Sequence, residues 1–273
     1  MAERRLEREA AKRQQERRGQ LVAAVSSLVV LGGLALWVLT SPGWPEVRET
    51  FFNWEVFTDS FPEVLDGFWL DVKLFVIVEL AVLAVGLALA VLRTSRAAAL
   101  FPVRLLTVVY VDVFRGIPTI LLVYLVGFGI PALRLSGLPT DPVVLGGIAL
   151  GLSYSAYVTE VYRAGINSVH RGQRDAALAI GLTDAQAMRH VILPQAVRRV
   201  AAPLLNDFVA LQKDVALISI LGPQEAFRIA QIVQGETFNY TPLIAAALLY
   251  LAVTVPLARV VERMGGGAEG AVR

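Results

Sequence analysis

The sequence of 273 residues contains no cysteine and only two histidines, His170 and His190. Without cysteine, disulfide scaffolds, thiolate metal sites and thiol nucleophiles are excluded, and two histidines leave little material for a metal centre or an acid–base pair. Charge is scarce as well, because 18% of the residues are charged whereas 56% are hydrophobic. Soluble domains have a lower apolar content. The composition therefore predicts a membrane protein with no metal site and no catalytic residues.

The hydrophobic residues are concentrated in six stretches with few charges. A helix of about 20 apolar residues crosses the hydrocarbon layer of a bilayer, and each stretch is near that length or longer. The first follows a basic segment, but it exceeds the core of about 7–15 residues that a secretion signal has. We therefore interpret all six as membrane-spanning helices of an all-α polytopic bundle. They cover residues 21–40, 68–92, 104–130, 142–162, 200–221 and 240–260.

Basic residues are distributed unequally among the segments that connect these stretches. Alternate segments, which include both ends of the chain and residues 163–199, hold 19 of the 25 basic residues. Lysine and arginine are enriched on the cytoplasmic side of membrane proteins. Both termini and the 163–199 loop are therefore predicted to lie in the cytoplasm.

The 163–199 loop contains the signature of two short helices joined by a tight turn. Residues 173–180 are good helix formers, and Gly181 can adopt the left-handed conformation that ends a helix. Thr183 and Gln186 have the spacing of a capping box, so a second helix is predicted from there until Pro194 stops it. A helix–turn–helix could bind DNA, but spans begin close by on both sides and few basic residues fall on the second helix. An amphipathic loop lying on the membrane is the other alternative.

The same loop resembles the EAA loop in the membrane subunits of ATP-binding-cassette (ABC) importers. The resemblance rests on Asp175-Ala176-Ala177, on Gly181 four residues later and on Ile192-Leu193-Pro194, with aspartate where glutamate is usual. In that family the loop forms coupling helices that sit in a groove of a cytoplasmic ATPase. The resemblance implies that role for Asp175, Ala176, Ala177, Gly181, Met188, Arg189, Ile192 and Pro194.

Further motifs narrow the resemblance to the polar amino acid permeases of this importer class. Where that branch usually reads Lys-Asp-Thr-Ser-Leu, this chain has Val215 and Ala216 after Lys213-Asp214, so two hydroxyls are missing. The resemblance implies the MetI-like fold of type I ABC importers, with a five-span core and one additional N-terminal span. The motifs are Phe114-Arg115-Gly116-Ile117-Pro118, Tyr157 through Glu160, Arg163-Ala164-Gly165-Ile166, Gly172-Gln173, Pro194-Gln195-Ala196 and Gln212-Lys213-Asp214.

On this basis the chain divides into five segments. A charged cytoplasmic tail (1–20) precedes the extra transmembrane helix (21–40). An extracytoplasmic interfacial segment rich in tryptophan and phenylalanine (41–64) leads into the ABC importer transmembrane domain (65–263), which contains the coupling loop 163–199. A cytoplasmic tail (264–273) follows.

The resemblance also implies partners and a location. No Gly-x-x-x-x-Gly-Lys loop precedes any of the three lysines, so this chain lacks that phosphate-binding element and needs no cofactor of its own. ATP and Mg²⁺ are expected in a separate cytoplasmic ATPase dimer. A second permease subunit, identical or a sister chain, and an extracytoplasmic solute-binding protein complete the implied complex. The chain is expected to contact membrane lipid and no nucleic acid, as a multi-pass protein of the bacterial cytoplasmic (inner) membrane.

Arg115 is the first candidate for the substrate pathway. A charge within a span is costly unless it faces water or a partner. Gly116 and Pro118 follow at once and predict a helix break, which membranes tolerate only where protein or a water-filled cavity surrounds it. Arg115 could therefore bind a substrate carboxylate, or it could pair with an acid of the bundle. The acids weighed for that pairing are Asp112, Glu79 and Asp207.

A second polar stripe lies within the predicted fifth span. It consists of Asn206, Asp207, Lys213 and Asp214, and it is expected to line a pathway or a subunit interface.

Glu160 and Arg163 lie one helical turn apart near the end of the fourth span, a spacing that favours a structural ion pair.

These features predict a transport subunit rather than an enzyme. Transport would proceed by alternating access, coupled to the ATPase through the 173–194 helices, and the positive charges at depth favour glutamate or glutamine as substrate. An ion-coupled secondary amino acid carrier is the alternative, and it predicts an internal repeat that is not evident between 68–162 and 200–260. A membrane-embedded hydrolase finds no support, since neither Ser153 nor Ser219 has a histidine nearby in the sequence.

Overall fold

The computed structural model describes residues 2–95 and 97–269. All regular secondary structure in these residues is helical, which confirms the predicted all-α fold. Met1, Arg96 and residues 270–273 of the predicted tail 264–273 lie outside the described residues. By length and composition four helical stretches can cross a membrane, or up to five if one bent pair of helices counts as a single span. The four are Arg17–Leu39, Trp44–Thr94, Pro142–Ser168 and Thr241–Val261.

Residues 1–53 form one compact unit with two helices. α1 (Ala2–Leu39) joins the predicted tail and the predicted first span in a single uninterrupted helix. Its apolar part leaves large side chains exposed, such as Leu28 and Trp37, which is the expected condition of a helix surrounded by lipid. α2 (Trp44–Phe51) follows after a short turn, and the rings of Trp44 and Phe52 lie 6.4 Å apart.

Residues 54–273 form the second unit. It begins inside the predicted interfacial segment 41–64, because one helix runs from Trp54 through the predicted boundary to Thr94. The α-helices of this unit are α3 (Trp54–Thr94), α4 (Phe101–Gly116), α5 (Thr119–Ala132), α6 (Pro142–Ser168), α7 (Arg171–Ala179), α8 (Asp184–Ala187), α9 (Leu193–Arg199), α10 (Ala201–Asp214), α11 (Ala226–Thr237) and α12 (Thr241–Glu269).

The centre of the second unit is the contact between α3 and α6. Val78 and Val82 of α3 and Leu150 and Val158 of α6 are buried in one hydrophobic cluster. Gly86 permits the close approach, since a Cβ at this position would lie 2.7 Å from a methyl group of Val158. Small residues of this kind allow helices in lipid to gain van der Waals contact. The pair therefore provides the frame on which the other helices pack.

The predicted span at 104–130 is broken in the middle. α4 ends at Gly116 and α5 begins at Thr119, and the two helix axes are bent by 104°. Pro118 explains the position of the break, because it lacks the N–H that a continuous helix would need. The end of α4 and the start of α5 are each hydrogen-bonded to α6. The Tyr157 hydroxyl donates to the Arg115 carbonyl oxygen (3.3 Å), and the hydroxyls of Thr119 and Ser153 are 3.0 Å apart.

The predicted span at 200–221 is divided as well. α10 ends at Asp214, and a tighter 3₁₀ segment (Val215–Leu221) continues to Gly222, which has a φ of +102°. This stretch is not among the four that can cross a membrane by length and composition. Its polar residues and the change of helix type explain the difference from the prediction.

Pro194 does not stop a helix, contrary to the prediction. It lies in the first turn of α9, where a missing N–H leaves no hydrogen bond unmade. A wider π turn (Met188–Ile192) connects α8 to α9. The helical path therefore continues from Asp184 to Arg199.

Candidate functional site

The loop between α6 and α9 contains two helices joined by a tight turn. At the end of α7 the Leu182 N–H donates to the Ala177 carbonyl oxygen (3.1 Å), and Gly181 has a φ of +90°. A left-handed residue at this position is the usual way to reverse the chain after a helix. Thr183 and Gln186 form the predicted capping box, in which the Thr183 N–H donates to Gln186 Oε1 (2.8 Å). We refer to residues 171–192 as the α7–α8 segment.

The α7–α8 segment has one buried side and one exposed side. Ala177, Met188 and Ile192 are buried against the helix bundle, so the segment is anchored by apolar contacts. On the other side Ile180 is 80% exposed, so a large apolar side chain faces outward from this segment. The remaining residues of the predicted coupling set are exposed too, namely Asp175, Ala176, Gly181, Arg189 and Pro194.

Two arginines make polar contacts in and next to the α7–α8 segment. Arg174 of α7 lies 2.9 Å from Asp184 Oδ1 at the start of α8, which fixes the two helices relative to each other. Arg199, at the end of α9, donates to the carbonyl oxygen of Ser168, the last residue of α6. The segment is therefore held together internally by an ion pair, and α9, which follows it, is tied to the end of α6 by a hydrogen bond.

Glu160 is shared by two arginines near the end of α6. Arg163 Nη2 lies 2.6 Å from Glu160 Oε2, with Arg163 Nε 3.0 Å from the same oxygen. Arg93 of α3 donates to the other carboxylate oxygen. Sequence reasoning considered only the pair within α6, because Arg93 lies 67 residues away along the chain. The carboxylate thus links the ends of the two central helices.

We expect Glu160→Gln to lower the thermal stability of the purified protein. The substitution leaves two guanidinium groups in a half-buried place without their counter-charge, a loss of about 1–3 kcal/mol. For a chain of this size that corresponds to a fall of about 2–12 °C in the unfolding midpoint. Thermal unfolding in detergent measures it, with the exposed Glu63→Gln on α3 as the matched control. Equal midpoints for the two variants would contradict the structural role.

Arg115 lies in the last turn of α4, next to the break, and is exposed. Its guanidinium carbon is 5.4 Å from the centroid of the Tyr157 ring, a favourable cation–π arrangement. It interacts electrostatically with Asp207 and Glu160. Among the described residues it forms no ion pair, so its donors remain available to a ligand.

The second polar stripe is separated into different environments. Asp214 accepts a hydrogen bond of 2.8 Å from the Tyr154 hydroxyl of α6 and is therefore held inside the bundle. Asp207 is half-buried, with Oδ2 lacking a hydrogen-bond partner in the described structure. Asn206 and Lys213 are exposed. Lys213 and Arg115 are thus the accessible cations of the predicted pathway.

Sequence reasoning missed a buried acid pair between α3, α11 and α12. The Tyr250 hydroxyl donates to Asp71 Oδ2 (2.7 Å) and lies 3.4 Å from Glu225 Oε2. Glu225 also accepts the N–H groups of Phe227 (2.8 Å) and Arg228 (2.7 Å), which caps α11. Asp71 Oδ1 is buried without a partner among the described residues. The signal available in the sequence was an acid inside the predicted span 68–92, since such residues are costly unless they have a role.

A cavity of about 460 Å³ adjoins this acid pair. Lys213 and Tyr250 contribute to its lining, which is otherwise apolar. A ligand in this cavity would therefore be held mainly by apolar contacts. Within the described residues no group of three or more acids or histidines is placed to hold a metal ion.

Comparison with known proteins identifies a family of membrane transport proteins. The family model described as "Binding-protein-dependent transport system inner membrane component" matches residues 83–265. The chain is 35% identical over 206 residues to the probable glutamine ABC transporter permease protein GlnM of Bacillus subtilis, covering 75% of this chain and 93% of the relative. It is 32% identical over 197 residues to the arginine transport system permease protein ArtQ of the same organism, covering 72% and 88%.

A solved structure is similar to this chain over most of its length. The crystal structure of an amino acid ABC transporter with histidines superposes with a TM-score of 0.68 at 30% sequence identity. The match covers 77% of this chain and 96% of the solved chain. Sequence and fold therefore agree on the same group of proteins.

Proposed function

The chain belongs to the family of binding-protein-dependent transport system inner membrane components, and from this premise we propose how it imports polar amino acids. It is a permease subunit of an ABC importer, a multi-pass membrane protein without enzymatic activity, and ATP is hydrolysed by a separate partner. Its all-α fold is that of the type I importers.

The observation that carries the proposal is the α7–α8 segment. It presents Asp175 and Ile180 on its exposed side while Met188 and Ile192 anchor it to the bundle. A partner that binds the exposed side can therefore move the helix bundle, because the α7–α8 segment is anchored to the bundle. We assign the ATPase contact to the exposed members of the predicted coupling set in this segment, Asp175, Ala176, Gly181 and Arg189. Ala177, Met188 and Ile192 take part by anchoring the segment to the bundle, and the exposed Pro194 follows it at the start of α9.

Transport on this basis is alternating access between two arrangements of paired permease subunits. A loaded solute-binding protein outside the cell favours one arrangement, and closure of an ATPase dimer that binds ATP and Mg²⁺ favours the other. Each partner shifts the equilibrium only by its difference in affinity for the two arrangements. The second permease subunit is either a copy of this chain or a sister permease.

The orientation follows from the distribution of arginine and lysine. We place both termini, including the tail 1–20, and the coupling loop 163–199 in the cytoplasm. The helix at 21–40 is an additional span outside the transport domain 65–263, and segment 41–64 lies at the extracytoplasmic interface. The membrane is the bacterial cytoplasmic membrane.

Glutamine or glutamate is the substrate class we propose. Relatives named for glutamine support it, and so do the accessible cations Arg115 and Lys213 at candidate positions on the pathway. Gly116, Pro118, Asn206, Asp207 and Asp214 complete the pathway set predicted from the sequence.

Reconstitution tests this function directly. The permease, its ATPase and the solute-binding protein are placed in proteoliposomes, and uptake of labelled glutamine is measured with and without internal ATP. We expect uptake to require ATP and the binding protein together. Uptake by the permease alone, driven by a proton or sodium gradient, would instead establish the ion-coupled carrier.

A further inference from the structure

A cavity of about 530 Å³ lies where α3 and α6 end and α7 begins. No aspartate or glutamate lines it among the described residues. Its charged and titratable lining residues are Arg93, Arg163, His170, Arg171 and Arg174. We refer to this cavity as the basic pocket.

The positive charge of the basic pocket is only partly neutralised. Two carboxylates lie beside it: Glu160, shared by two of the arginines, and Asp184, which pairs with Arg174. Four arginines and two carboxylates leave a net charge of 4 − 2 = +2 when the histidine is neutral. Arg171 forms no ion pair within the part of the chain that the structure describes. The pocket therefore favours an anion.

The hydrogen-bonding groups of the basic pocket are mostly donors. His170 Nδ1 accepts the Gly172 N–H (3.1 Å), so Nε2 of the neutral ring carries the hydrogen and can donate. The guanidinium groups have no acceptor atoms, and the N-terminus of the nine-residue helix α7 adds a partial positive charge. The matching ligand is one with several acceptor oxygens and a negative charge, such as a phosphate ester.

An apolar groove of about 630 Å³ adjoins the basic pocket. Arg174 lines both cavities, and the last turn of α3 contributes to both, with Val91 and Leu92 in the groove and Arg93 and Thr94 in the pocket. Leu100, Met188 and Leu193 provide further apolar surface in the groove. An anionic pocket ligand with an apolar part attached would therefore occupy both.

We propose that the basic pocket and the apolar groove form one binding site for an anionic phospholipid, with the phosphate among the arginines and an acyl chain in the groove. Basic pockets at the cytoplasmic ends of spanning helices lie at the depth of lipid headgroups, and anionic lipids are attracted there. The placement on the cytoplasmic side rests on the orientation in the proposed function. The pocket part of the site rests on side chains of α3, α6 and α7, and the groove part adds Leu100, Met188 and Leu193.

The proposed ligand explains both cavities, whereas two other ligands explain less. Free phosphate would fill the pocket but leave the groove without a ligand. Carboxylates of the ATPase would reach the exposed side of the α7–α8 segment, where Asp175 and Ile180 lie, whereas Arg171 and Arg174 line a pocket together with the ends of α3 and α6.

Lipid binding to the full-length permease in neutral detergent tests the proposal. Native mass spectrometry measures the binding of phosphatidylglycerol and of phosphatidylcholine during a titration. Each arginine near an anionic headgroup contributes about fivefold in affinity, so Arg171→Gln should weaken phosphatidylglycerol binding about fivefold and Arg171→Glu about 25-fold. Arg198→Gln, an exposed arginine of α9 that lines neither cavity, is the matched control and should bind like the unaltered protein.

Three results would overturn the proposal. The first is equal phosphatidylglycerol affinity in both Arg171 variants and the control. The second is competition by inorganic phosphate at concentrations equal to those of the lipid, which would identify a site for soluble anions. The third is complete release of the lipid on addition of the ATPase, which would assign the pocket to that partner. None of these readouts depends on transport, so failure of the proposed function would appear separately, in the uptake assay.

Discussion

Gly181→Val is expected to weaken the association of the ATPase with the permease about tenfold or more, while the permease still inserts and folds. The φ of +90° at Gly181 is accessible to glycine but costs a β-branched residue about 1–3 kcal/mol. A Cβ at this position would meet no atom within 4 Å, so the cost arises from the backbone alone. Relief of that strain changes the turn between α7 and α8, and a loss of about 1.4 kcal/mol is already tenfold in affinity.

Co-purification and surface plasmon resonance with the isolated ATPase measure this effect. Gly181→Asn is the matched control, because asparagine tolerates positive φ far better than valine, and it should retain most of the binding. Asp175→Lys, which reverses an exposed charge without affecting the turn, should weaken association independently. Unchanged ATPase binding in Gly181→Val and Asp175→Lys would disprove the coupling role of the α7–α8 segment.

Arg115→Ala is expected to reduce amino acid uptake about 10–100-fold without loss of assembly. A charge-assisted hydrogen bond to a substrate carboxylate contributes about 1.5–3 kcal/mol, and the substitution removes all of it. Arg115→Lys keeps the charge but loses the paired donors of the guanidinium group, so an intermediate rate is expected. The rate of ATP-dependent uptake in proteoliposomes provides the measurement.

The control for this experiment is Arg134→Ala, an exposed arginine between α5 and α6. This substitution removes the same charge at a position distant in sequence from the break between α4 and α5, and it should leave uptake unchanged. Size-exclusion chromatography of the permease with its ATPase reports assembly. Normal uptake by Arg115→Ala would reject the carboxylate role and favour a structural role for this arginine, through its contact with the Tyr157 ring.

The features that the sequence predicted correctly depend only on residues close to one another along the chain. Gly181, the Thr183–Gln186 box and the break before Pro118 each follow from local backbone chemistry. The 104° bend between α4 and α5 does not, because it depends on the contacts of Tyr157 and Ser153 in another helix. Local rules likewise failed at Pro194, where a preceding π turn allowed the helical path to continue.

Contacts between distant segments account for what the sequence did not indicate. Asp71 and Tyr250 are separated by 179 residues, and Arg93 and Glu160 by 67. No spacing rule connects such pairs, since packing of α3 against α6, α11 and α12 creates them. The cost of an acid in an apolar span identifies Asp71 as unusual, but only the folded chain shows its partner.

The hydrogen bonds at the break between α4 and α5 give α6 a mechanical role. The two bonds on either side of Pro118 end on Ser153 and Tyr157, and the same helix continues to Ser168, immediately before the α7–α8 segment. At about 1.5 Å per residue, the distance from Ser153 to Ser168 is about 22 Å. A rotation of α6 would therefore move the break and the α7–α8 segment, where we propose the ATPase contact, at the same time. A change at one end would then reach the other through a single helix, without a chain of separate local rearrangements.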